Sequence, residues 1–294
     1  MMKLFFAILR LMRPKEYIKN LLVFLPMFFA MRLNEVDLWV QSSVAFLGFC
    51  LISSSIYVIN DLKDVEADRI HPVKKHRPIA SGAVPVTIAW VVFSVLVLAA
   101  FAVSLSTSLP FFVLQLAYFV LNLLYTWKLK TVAIVDICIL SAGFLLRLFV
   151  GSAVTSIPLS GWIILVLFFL TLLLGAGKRR DDLLLLEAGL DTKRASVRGY
   201  SLEMLNVLTT VVGTAGLVCY IIYTMTPEVM ARFQSEHLYL TAFPVVAGVL
   251  RYFQIMLVEK RTGSPTELFL KDAGMASMVI LWAVSFCGIV LMRY

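Results

Sequence analysis

Charge is scarce in this chain. Acidic and basic residues together make up 15% of it, against about 25% in ordinary soluble domains, which excludes a surface built to face water on all sides. Histidine is nearly missing, with three residues. The four cysteines, Cys50, Cys138, Cys219 and Cys287, lie far apart in apolar stretches, with no Cys-x-x-Cys pair and no Cys/His cluster. That spacing argues against a zinc site or a disulfide framework. Low-complexity linkers are absent too, so one domain over residues 1–294 is expected. The basic N-terminus is not followed by a small-residue cleavage site, so no cleavable signal peptide is expected.

What the chain has instead is hydrocarbon. Hydrophobic residues are 61% of it and the mean hydropathy is +0.92. The excess is gathered into long runs such as Trp90–Ala102, Ile163–Leu174 and Met275–Met292. About 20 apolar residues in a helix cross a bilayer core of about 30 Å, and only helices and closed barrels satisfy their backbone in lipid. The expected fold is an all-α, polytopic membrane protein with nine spans: 17–31, 38–59, 84–105, 109–126, 132–152, 159–176, 201–224, 238–257 and 273–292. The first is the weakest, being short and interrupted by Pro26.

The bases orient these spans. With the N-terminus inside, 21 of the 26 Lys and Arg residues fall on the cytosolic side; Arg32, Arg232 and Arg293 fall outside, and Arg147 and Arg251 lie within spans. Cytosolic loops carry such an excess, so a multi-pass protein of the inner cell membrane is expected, with the C-terminus outside. The +8 net charge then reads as a topology signal with a share for anionic substrates or headgroups, and no nucleic acid is expected as a partner. A homo-oligomer stays open.

The most informative stretch follows the second span: Asn60-Asp61-x-x-Asp64-x-x-x-Asp68. If the span continues as a helix, positions 61, 64 and 68 share one face. Three carboxylates there repel one another unless a cation bridges them. Hard oxygen ligands suit Mg²⁺, which keeps waters and binds substrate phosphates, so Asn60, Asp61, Asp64 and Asp68 are the candidate metal ligands. Bases follow at once: Arg69, Lys74, Lys75 and Arg77, ending in Arg77-Pro78-Ile79-Ala80-Ser81-Gly82. Metal plus Arg or Lys is the usual clamp for a phosphate-bearing leaving group. The plain alternative is a solvated helix end whose bases serve topology alone.

This run of acids followed by Arg69 and Arg77-Pro-Ile-Ala-Ser-Gly resembles the first signature of the UbiA superfamily of intramembrane prenyltransferases. The resemblance implies nine transmembrane helices around a central cavity and two acidic motifs that hold a Mg²⁺-diphosphate. Further stretches resemble the decaprenyl-phosphate phosphoribosyltransferase branch: Arg13-Pro14-x-x-Tyr17-x-Lys19-Asn20, His71-Pro72-x-Lys74, and Gly263-Ser-Pro265-Thr-Glu267 through Asp272. That branch implies transfer of 5-phosphoribose from phosphoribosyl diphosphate to a polyprenyl (decaprenyl) phosphate, with the lipid as acceptor.

The second long loop fits that branch. Aromatic prenyltransferases of the superfamily usually show Asp-x-x-x-Asp there; this chain has Gly177-Lys178-Arg179-Arg180-Asp181-Asp182, and Glu187-x-x-x-Asp191 is only a weak echo. Three bases ahead of two acids suit an additional phosphate. From the resemblance, Lys19, Asn20, Arg69, Lys74, Arg77, Lys130, Lys178, Arg179 and Arg194 are expected to bind substrate. Asp61, Asp64, Lys19, Tyr125 and Asp182 are expected to act in catalysis. Asp136 and Arg147 sit inside one span, where ionisable groups are functional candidates by default. Eleven residues separate them by about 16 Å, too far to pair, and Arg147 is expected to snorkel. Two other readings stay open: a prenyltransferase using a prenyl diphosphate and an aromatic acceptor, and a lipid transporter. Charges concentrated on one side, away from the midplane, weigh against the transporter.

Overall fold

The computed structural model describes residues 2–187, 195–260 and 271–291. The described residues form helices α1 (Met2–Met12), α2 (Leu25–Phe29), α3 (Val36–Lys63), α4 (Val65–Arg69), α5 (Val86–Thr107), α6 (Leu109–Trp127), α7 (Val135–Thr155), α8 (Gly161–Glu187), α9 (Leu202–Met225), α10 (Pro227–Phe233), α11 (Ala242–Leu257) and α12 (Ala273–Leu291), joined by short 3-10 turns. Among these residues eight helices are long and apolar enough to cross a membrane, and the chain is a multi-pass membrane protein. They match the last eight expected spans to within a few residues, except that α8 runs on from the apolar stretch to Glu187. The expected span covers only the part in lipid, whereas Arg179, Arg180, Leu183–Leu186 and Glu187 are good helix formers that extend the helix.

The expected span 17–31 takes another form. Pro14–Phe24 is a 3-10 helix followed by the short α2. Pro26 lacks the N–H that would reach the carbonyl of Leu22, and the ring crowds that carbonyl; the Leu25 N–H bonds Leu22 O instead. At about 2.0 Å rise per residue the tighter winding still covers about 22 Å.

The chain divides into two compact units: residues 1–127 with 146–158, and residues 128–145 with 159–294. The first is organised around α3. Its buried Ser42, Ala45, Gly48, Ser53, Ser54 and Ser55 are small, which lets neighbours approach closely in the absence of a water-driven hydrophobic force. A Cβ on Gly48 would lie 2.9 Å from the Phe111 ring. Ser53, Ser54 and Ser55 bond carbonyls of the helix itself, Ser54 on Cys50 O at 2.7 Å and Ser55 on Ile52 O at 2.8 Å. Helix α5 turns mostly small groups inward: Ala89, Ala100 and Ser104 are buried along with Leu96, while Val91, Val95, Leu98 and Leu105 are exposed, the pattern of a lipid-facing helix. The second unit packs α8, α9, α11 and α12 around Leu172, Leu173, Val212, Ile255, Met256 and Met275.

Arg147 does not snorkel. It is 6% exposed, donates from Nε to Asn20 Oδ1 at 2.7 Å and from Nη2 to the Tyr118 hydroxyl at 3.0 Å, and lies over the rings of Phe49 and Tyr118. One turn on, Gly151 meets the same 3-10 segment so closely that a Cβ would be 2.1 Å from Val23 O.

Candidate active site

Helix α3 ends at Lys63 and α4 begins at Val65, with Asp64 between them at φ −92° and ψ 7°. The expected single helix is therefore broken, yet the backbone bonds Asp64 N–H to Asn60 O and Asp68 N–H to Asp64 O persist, so the acids keep nearly their helical offset. The following loop folds back over them. Ile79 is 1% exposed and packs with Val58, Ile59 and Leu62 of α3. Gly82, at φ +78°, closes the turn in a conformation a side chain would resist. The Arg-Pro-Ile-Ala-Ser-Gly run is thus an anchor and a turn that deliver Arg77 to the acids.

Two guanidiniums converge there. Arg13 Nη2 donates to Asp61 Oδ1 at 2.6 Å. Arg77 Nη1 donates to the same oxygen at 3.1 Å and to Asp68 Oδ2 at 2.7 Å. Asp61 and Asp68 are buried, while both arginines keep about a quarter of their side chains exposed. Asn60 Oδ1 accepts from the Thr126 hydroxyl at 2.5 Å, and Lys63 Nζ donates to Thr126 O at 2.6 Å, which ties the end of α6 to the end of α3. Arg69 pairs on the surface with Glu66. Lys74 is half-buried beside His71, whose Nδ1 accepts from Val73 N–H. Tyr125 is half-buried in the last turn of α6.

Among the described residues no three acids, histidines or cysteines converge into a ready metal cage. Two of the carboxylates are held by guanidiniums. The donor set still fits a hard divalent ion. Oxygens of Asp61 and Asp68 both lie within 3.1 Å of one Arg77 nitrogen, so positive charge at that point touches both carboxylates.

The N-terminal candidates are less open. Lys19 forms an exposed ion pair with Glu16. Asn20 is fully enclosed, bonded to Arg147 and to Ser53.

In the second unit the three consecutive bases point three ways, as about 100° per residue requires. Lys178 is exposed. Arg179, 1% exposed, is bound through Nε to Asp136 and reaches Asp182 with Nη1 at 3.4 Å. Arg180 donates from Nε to Asn206 Oδ1 at 2.9 Å, and its enclosed Nη1 has no hydrogen-bond partner among the described residues. Asp136 also accepts from the Tyr200 hydroxyl at 2.7 Å, which itself accepts from Ile134 N–H. Burial first, and the bond to Asp136 second, hold the Tyr200 phenol well above the ordinary tyrosine range. Ile134 sits at φ +69°, a strained conformation for a β-branched residue that Tyr200 braces. Lys130 lies half-buried in the 3-10 turn Leu129–Thr131. Arg194, Asp191 and the stretch from Gly263 to Glu267 fall outside the described residues.

Sequence reasoning gave no role to Arg13 as a partner of Asp61, took Arg180 only as one of three bases suited to phosphate, and missed the Asp136–Arg179 pair. The last was signalled by an acid near the N-terminal end of one span and a base beyond the apolar stretch of the next. For Arg13 and Arg180, nothing in the spacing distinguishes a buried base from a topology charge.

The UbiA prenyltransferase family profile matches residues 21–178. The decaprenyl-phosphate phosphoribosyltransferase of Mycolicibacterium smegmatis is 35% identical, covering 94% of this chain and 90% of that protein. The protein of the same name from Corynebacterium glutamicum is 30% identical, covering 96% and 85%. A UbiA homolog from Archaeoglobus fulgidus, solved with GPP and Mg²⁺ bound, superposes with a TM-score of 0.68 at 17% identity over 97% of this chain and 98% of that one.

Proposed function

Because the chain belongs to the UbiA prenyltransferase family, we propose that it is a Mg²⁺-dependent transferase moving 5-phosphoribose from phosphoribosyl diphosphate to a polyprenyl phosphate, with release of diphosphate. The observation that carries this reading is the likeness along nearly the whole chain to relatives of that name; a prenyl donor would share only the first acidic motif. The protein sits in the inner cell membrane with its N-terminus and first motif on the cytosolic side.

Asp61, Asp64 and Asp68, with the Asn60 amide, hold the metal, which when bound screens the negative charge of the leaving diphosphate. Arg77 and Arg13 are placed beside the same carboxylates and meet the diphosphate oxygens; Arg69 and Lys74 add positive charge from the same loop. An oxygen of the lipid phosphate attacks the anomeric carbon as the bond from that carbon to the diphosphate oxygen breaks. The phosphate monoester is already anionic near neutral pH, so no strong base is required. Tyr125 and Lys19 line the donor, and Lys130, Lys178 and Arg194 bind phosphate. Arg180, with its unpartnered Nη1, takes over the phosphate role expected of Arg179. Asp182 acts as the second-loop acid.

Purified protein supplied with ribose-labelled phosphoribosyl diphosphate and decaprenyl phosphate should move label into the lipid fraction, and EDTA should stop it. No labelled lipid, together with turnover of a prenyl diphosphate and an aromatic acid, would overturn the assignment.

A further inference from the structure

In the first acidic motif both buried carboxylates are already paired with guanidiniums. Two buried carboxylates, Asp61 and Asp68, face two guanidiniums, and one Arg77 nitrogen bridges both acids. A free divalent cation entering this cluster meets the two guanidiniums as well as the carboxylates of Asp61, Asp64 and Asp68. To bind, it must displace both arginines, and nothing it carries repairs their lost partners. A metal bound to diphosphate differs: it arrives with surplus phosphate oxygens, to which displaced guanidiniums can pair with short, charge-assisted bonds.

We propose that Arg13 and Arg77 are built-in counter-ions that suppress binding of the free metal, so that metal and diphosphate enter together and the two guanidiniums transfer from carboxylate to diphosphate. The proposal rests on the reading above in taking this motif as the diphosphate site, but it does not depend on which group the diphosphate is attached to.

The surroundings of Arg13 suit an exchangeable cation. The residue joins α1 to the 3-10 helix at φ +56°, a left-handed conformation that a side chain resists. Its guanidinium lies 4.8 Å over the Tyr57 ring, a contact compatible with small movements because the ring face has no single bonding point. Its side chain is 30% exposed, while Asp61 is 2% exposed. The acid is therefore the fixed partner and the arginine the movable one. Arg77 is likewise 27% exposed.

Metal and diphosphate are then positively coupled, and the coupling must be reciprocal. Removing one counter-ion should shift the two affinities in opposite directions, which distinguishes this role from a structural one. The probes are Mn²⁺ alone, followed by the decrease of its free electron-paramagnetic-resonance signal on adding the full-length protein in detergent, and preformed Mn²⁺–diphosphate, followed by calorimetry. Relative to wild type, Arg13→Gln should bind free Mn²⁺ about tenfold tighter and Mn²⁺–diphosphate about tenfold weaker, within the usual range of such couplings. Arg77→Gln should shift both in the same senses, and Arg13→Lys, which keeps the charge, should stay near wild type. Unchanged or weaker binding of free Mn²⁺ by both Gln variants would overturn the proposal, and parallel loss of both affinities would reduce the arginines to structural supports. No phosphoribosyl compound enters these measurements, so a failed donor assay would leave their outcome standing.

Discussion

Arg179 is the residue at which a binding role and a structural role diverge most clearly. Its guanidinium is 1% exposed and held by Asp136, itself fully buried. Removing one member of such a pair leaves the other buried and uncompensated, at a typical cost of about 3–5 kcal/mol, whereas removing both charges often costs little. Arg179→Met should therefore strongly lower the unfolding temperature of the purified protein in detergent. Asp136→Asn combined with Arg179→Met should recover most of the loss, because the Asn oxygen still accepts from Tyr200. A phosphate ligand would behave differently: Arg179→Met would leave the unfolding temperature alone and raise KM. Arg180→Met gives up the Nε bond to Asn206 but none from Nη1, so it should lower the unfolding temperature much less than Arg179→Met does and should raise KM. Spacing alone brings Lys178, Arg179 and Arg180 to the right helix end. Which of the three faces Asp136 depends on where α7 packs, and that is a property of the folded second unit rather than of the motif.

At the scale of elements, the 3-10 segment Pro14–Phe24 is held at two points by the later half of α7, Arg147 on Asn20 and Gly151 against the Val23 carbonyl. The direction in which a Cβ would project from Gly151 points at Val23 O from 2.1 Å, so the glycine's hydrogen faces that carbonyl in a weak C–H···O contact. Helix propensity alone makes Gly→Ala favourable by about 0.8–1.0 kcal/mol in a helix interior. At Gly288 in α12 nothing lies within 4 Å of the added carbon, and Gly288→Ala should raise the unfolding temperature slightly. Gly151→Ala should do the opposite, at or above the upper end of the roughly 1–3 kcal/mol that overpacking costs, because the obstructing atom is backbone. A stabilising Gly151→Ala would show that the segment and α7 do not touch in solution. The long spans were legible because hydropathy and length are summed over about 20 residues. This segment was not: its winding depends on one proline and on a glycine more than 120 residues away, neither of which leaves a periodic trace.

At the scale of the whole molecule, orientation was read from basic residues alone and rests on an asymmetry of 21 to 3. Among the described residues Lys63 ends α3, Lys74 and Arg77 follow α4, Lys130 follows α6, and Lys178 lies in the C-terminal part of α8. The loop after α4 and the loop after α10 should then open on opposite sides. Cys287→Ser and Cys138→Ser remove the exposed and half-buried native cysteines, and Cys50 and Cys219 are buried, so labelling can be read from introduced cysteines at exposed positions. In intact cells a membrane-impermeant thiol reagent should modify Glu236→Cys and leave Ala83→Cys untouched until the membrane is permeabilised. The reverse pattern would place the first acidic motif outside, away from any diphosphate made in the cytosol, and the proposed donor would fall with it. Juxtamembrane bases contribute about 1 kcal/mol each near an anionic cytosolic surface. A surplus of 18 is therefore far beyond what one or two added exterior charges can reverse, and Glu236→Lys should leave the same labelling pattern at Ala83→Cys.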